Sequence, residues 1–148
     1  LSKGRMQDAE GGWQRKGACD LTLDDLAAHQ EGLQLVLIPP ADLEGFPQRL
    51  QRLARRLPGL RHVAASYLYS GSDRARINAL GRMSTAEGLS ILATNDVLYH
   101  HPSRRPLQDV MTSIREGVRL DEAGFLIEPS AERHLKPPAE MTRLFAEW

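Results

Sequence analysis

Three short apolar runs decide what this chain can fold into. Residues 33–38 (LQLVLI), 60–69 (LRHVAASYLY) and 89–94 (LSILAT) each read as a buried strand. The stretches between and after them have a helical period. Phe46, Leu50, Leu53 and Leu57 recur at i, i+4, i+7 and i+11, one buried stripe with Pro47 in the first turn. Gly71-Ser72-Asp73 makes a turn and cap for a helix over 74–87, with Ile77, Leu80 and Met83 inward and Gly88 closing it. Leu107, Val110, Met111, Ile114 and Val118 mark one face of a helix that starts near Arg104, and that face is expected to pack on the core. Ser103 is its expected N-cap, Pro106 fits its first turn and Gly117 ends it. Upstream, Thr22 caps a short helix over 23–30, with Asp25 in the capping-box position and Gly32 as a left-handed stop. Connections this short between strand and helix require parallel strands and right-handed crossovers. The expected fold class is therefore α/β, with parallel strands and surrounding helices. Parallel strands need cover on both faces, and three are few for a closed unit, so a partial barrel or incomplete sheet follows. Its exposed edges favour a homodimer or a borrowed partner.

Composition narrows the class. The chain has 148 residues, enough for one domain or a piece of one, with 41% hydrophobic and 26% charged residues. Its formal net charge of zero argues against a dedicated basic nucleic-acid module. Cys19 is the single cysteine, which excludes an intramolecular disulfide and suits a reducing cytoplasm. No apolar run approaches the ~20 residues of a membrane helix, so no membrane partner is expected. The polar N-terminus is no signal peptide and lacks an initiator Met, which suggests a piece of something longer. Residues 1–20 are expected to be irregular, with Trp13 packing on the domain. Near the other end, Pro137 and Pro138 are expected to start a final helix with Met141, Leu144 and Phe145 on its apolar side.

The densest chemistry lies in residues 93–116, ATNDVLYHHPSRRPLQDVMTSIRE. Asp96 stands at the C-terminal end of the third strand, where α/β folds build sites. With His100 and His101 close behind, it could bind a divalent metal such as Zn or Mn. The plainer reading makes Asp96 a loop cap and the histidines surface residues. Arg104 and Arg105 could hold a phosphate at a helix N-terminus, or pair with Asp109 one turn on. Arg49, Arg52 and Arg56 share a helix face that either meets DNA phosphates or is simply solvated. His62 reads as a structural histidine. No phosphate-binding loop, dinucleotide fingerprint, nucleophile elbow or CxxC pair occurs.

ATNDVLYHHPSRRPLQDVMTSIREG, then LDEAG, then AERHLKPPAEM, resembles the polymerase-and-histidinol-phosphatase (PHP) domain of bacterial C-family replicative polymerases. The likeness is nearest to the error-prone branch of the DNA polymerase III alpha subunits. Weaker similarity extends back through DLAAHQEGLQLVLIPP, GFPQRL and YSGSDRARINAL. The resemblance implies the C-terminal half of a PHP-type β/α barrel over 1–129 and a segment over 130–148 that leads toward an absent polymerase palm. It implies DNA and the remainder of a polymerase chain as partners, in replication, repair and translesion synthesis. Asp96 matches the acid of the family's Asp-x-His metal motif, but Leu98 stands where the histidine would be. Tyr67 lies near another position where relatives often carry histidine. The implied role is thus structural and non-catalytic, with no cofactor. The alternative is a metal-dependent phosphoesterase or proofreading half-domain in which His100 substitutes for the missing ligand.

Overall fold

All three apolar runs become strands, each shorter than the run that encodes it. The structure, a computed structural model, describes residues 21–148; the expectations for residues 1–20, including Trp13 and Cys19, lie outside these. In chain order the elements are α1 (Leu23–Ala28), β1 (Leu35–Leu37), α2 (Phe46–Arg56), β2 (Leu60–Ala65), α3 (Asp73–Ala86), β3 (Ser90–Ala93), α4 (Arg105–Glu116) and α5 (Pro138–Leu144). Short 3-10 turns at Pro102–Arg104, Leu120–Glu122 and Gly124–Leu126 flank α4. β1 stops where Pro39 removes the next ladder N–H. Thr22 and Asp25 form the expected capping box. Gly32 takes φ 75, but α1 has already ended at His29, so this glycine turns the loop and not the helix end.

The strands form one open parallel sheet in the order β1-β2-β3. It does not close into a barrel. β2 is central, paired on both sides, and its Val63, Ala64 and Ala65 are all buried. α2 and α3 cover one face, where Phe46, Leu50, Leu57, Val63, Ala65, Ile77 and Leu80 form the core. Fully burying side chains such as Leu50 and Ile77 contributes about 1.5–3 kcal/mol each. The strand pairing puts Val36, Ala64 and Leu92 on the opposite face. There Val36 and Leu92 are 41% and 40% exposed.

α5 brings the end of the chain back onto this body. Leu144 is buried, and Phe145 and Trp148 pack against the core. α4 behaves differently from the expectation of a core-packing helix. Gly117 ends it as expected, at φ 68, but Arg104 and not Ser103 is its N-cap. Its apolar stripe faces outward: Met111 is 57% and Ile114 75% exposed, while the residues it buries are Thr112 and Ser113. The period of a helix fixes which residues share a face, and not whether anything covers that face.

Candidate functional site

The C-terminal ends of the strands carry a cleft of about 600 Å³, with Val36, Ala64 and Leu92 on its floor and Thr94, Asp96, Asp73 and Arg76 at its rim. Asp73 and Arg76 on that rim are already engaged. Asp73, buried at the start of α3, accepts the backbone N–H groups of Leu68 at 2.9 Å and Ser70 at 2.6 Å. Arg76 donates to the carbonyls of Ala41 at 2.7 Å and Pro40 at 2.6 Å.

Asp96, the candidate metal ligand, is held by an arginine. It sits at φ 43, a left-handed conformation that aspartate tolerates, and its N–H donates to Thr94 Oγ1 at 3.2 Å. The Arg133 guanidinium reaches its carboxylate at 2.6 Å and its carbonyl at 2.8 Å, and also pairs with Glu128. Charge-assisted bonds on two edges of one guanidinium fix the loop's path. Asn95 completes the arrangement from inside. Its buried side-chain amide donates to the carbonyls of Glu132, at 2.6 Å, and His134, and its oxygen accepts from Lys136 Nζ at 3.2 Å. Lys136 is itself buried and pairs with Glu132 at 2.9 Å. The backbone N–H of Leu98 donates to the Arg133 carbonyl at 2.9 Å, and that of Leu135 to the Tyr99 carbonyl at 3.1 Å, which zips the two segments together. Burial pushes the Tyr99 hydroxyl up from its ordinary pKa. The loop after β3 is therefore a latch that anchors residues 130–136.

The other candidates scatter. His100 is exposed, whereas His101 bonds Ser103 and caps the 3-10 turn. Among the described residues no group of three or more His, Cys, Asp or Glu is arranged to hold a metal. Arg105 turns inward, donating to the Glu128 carbonyl at 2.6 Å and lying 3.6 Å from Asp109. Arg56 pairs with Asp24 on α1. Arg49, Arg52 and Arg104 are exposed. Arg133, Asn95 and Lys136 are the residues that spacing does not single out as partners in this latch. In the sequence, the ERHLK segment carries a family likeness and no sign of what it binds.

The matches to known proteins agree with that likeness. The chain is 47% identical to an error-prone DNA polymerase of Caulobacter vibrioides over 134 residues, 90% of its length. It is similar to error-prone DNA polymerases. The match to the Rhodopseudomonas palustris protein is 44% over 147 residues, and that to the Brucella abortus protein 43% over 134 residues. The chain spans only 12–13% of the length of these relatives. No protein-family model matches it. No helix among the described residues is long and apolar enough to cross a membrane.

Proposed function

We propose that this chain is a structural segment of an error-prone DNA polymerase that acts in the cytoplasm in replication, repair and translesion synthesis. In this reading it is the C-terminal half of a PHP domain, and residues 130–148 lead on toward the palm. The observation that carries the proposal is 47% identity over 90% of the chain to a protein of that name. The non-catalytic role is supported by the use of Asp96 and Asn95 to anchor residues 130–136, where a phosphoesterase would need free metal ligands. Arg49, Arg52 and Arg104 are proposed as DNA-phosphate contacts in the longer enzyme; what supports them is exposure without an ion-pair partner among the described residues.

The test is a chimera in which this chain replaces the matching stretch of the Caulobacter vibrioides protein. Primer extension within about threefold of the parent is expected, and Asp96→Asn should leave the kcat of nucleotide addition unchanged. Extension abolished in a folded chimera would contradict the segment reading. A kcat lowered by orders of magnitude in Asp96→Asn would contradict the non-catalytic one.

A further inference from the structure

Tyr69 is held in a backbone conformation that its own side chain disfavours. It stands at φ 56, in the left-handed region, where a bulky residue with a Cβ crowds its backbone. Such a residue stays there only when its surroundings over-determine it. Two sets of contacts do so. Along the backbone, the Asp73 carboxylate accepts the N–H groups of both chain neighbours, Leu68 at 2.9 Å and Ser70 at 2.6 Å. At the ring, Tyr67 lies edge-on with centroids 5.2 Å apart, and Arg143 Nη2 of α5 donates to the phenol oxygen at 2.9 Å. Arg143 is itself fixed by the Glu140 carboxylate, to which it donates at 2.7 and 2.9 Å. Tyr69 is 53% exposed, so burial does little to hold its ring and the charge-assisted clasp from α5 carries the restraint.

The same short stretch is a wall of the strand-end cleft, which Leu68, Ser70, Ser72 and Asp73 line. Arg143 lies 74 residues further along the chain than Tyr69. We propose that Tyr69 is a strained clasp through which α5 sets the shape of the cleft rim. Arg143 and Glu140 keep Tyr69 left-handed. Released from them, Tyr69 turns to an extended conformation, draws the Ser70 N–H off Asp73 and opens the rim. The turn after β2 and the last helix thereby form one two-state unit. This inference needs only contacts within the chain and does not depend on the segment reading above.

Amide hydrogen exchange followed by NMR on the 148-residue chain tests it. Arg143→Ala should speed exchange at Leu68 and Ser70 by about fivefold or more, with the buried Ile77 and Leu80 of α3 unchanged. No acceleration at the rim, acceleration confined to α5, or acceleration shared equally by Ile77 and Leu80 would overturn the proposal. A second pair of variants isolates the strain. Tyr69→Gly and Tyr69→Ala both delete the ring, and only glycine is free of the left-handed penalty. Ser70 should exchange about fivefold faster or more in Tyr69→Ala than in Tyr69→Gly, and equal rates would show that no strain is stored. Adding Arg143→Ala to Tyr69→Gly should then leave Leu68 and Ser70 unchanged, because no ring remains to be held. An acceleration there as large as in the natural chain would show that α5 reaches the rim by another route and would overturn the role of Tyr69.

Discussion

Asn95 and Asp96 show how one loop can be legible in kind while its partners are not. An acid at the end of a parallel strand is visible in the sequence, and so are the histidines after it. Its partner is not, because Arg133 lies 37 residues away and local spacing carries no information on that pairing. Asn95 carries more of the anchoring, since its buried amide makes three of the contacts to residues 132–136. Asn95→Ala should destabilise the chain by about 2–3 kcal/mol, because it leaves buried carbonyls and the Lys136 ammonium short of partners. Urea unfolding measures this, and a loss under about 0.5 kcal/mol would contradict the latch. A second residue-scale expectation concerns Glu140. Its bond to Arg143, which also reaches the Tyr69 hydroxyl at 2.9 Å, holds its carboxyl below the usual carboxylate range. A depressed pKa gives stabilisation that is fully present above the ordinary value near ~4.3 and lost as pH falls through the lower folded value. Glu140→Gln should therefore flatten the acid limb of the thermal stability profile below about pH 4.3. The mutant profile should keep its shape above that pH.

Among the elements, α2 and α4 have equally clear apolar stripes in the sequence, and only one of them finds cover. Phe46, Leu50 and Leu57 join the core because the chain after β1 crosses back over the sheet as α2 before returning in β2. α4 follows β3 through a loop that Arg133 and Asn95 hold, and that loop leaves Leu107, Met111 and Ile114 pointing outward. Periodicity thus located both helices, while the cover of each depends on contacts that no window of sequence contains. Truncation should separate them. Leu50→Ala is expected to cost about 2–5 kcal/mol, whereas Ile114→Ala should change the stability of the chain by under about 0.5 kcal/mol. Paired chemical denaturation curves check both, and comparable losses at the two positions would contradict the outward orientation of α4.

For the whole molecule, the order of strands and helices was readable because short connections leave only a parallel arrangement. The openness of the sheet was readable only in part: three strands are too few to close, but nothing in the sequence says what covers Val36 and Leu92. Both uncovered surfaces, the sheet face and the α4 stripe, fit a chain whose relatives are far longer. The strand-end loop anchors residues 130–136 through Asn95 and Asp96, and we propose that it binds no metal. Elemental analysis of the chain, purified without chelators and then exposed to Zn and Mn, tests it most directly. Metal far below one equivalent, unchanged by Asp96→Ala, is expected; near-stoichiometric metal that disappears on Asp96→Ala would overturn the anchoring role.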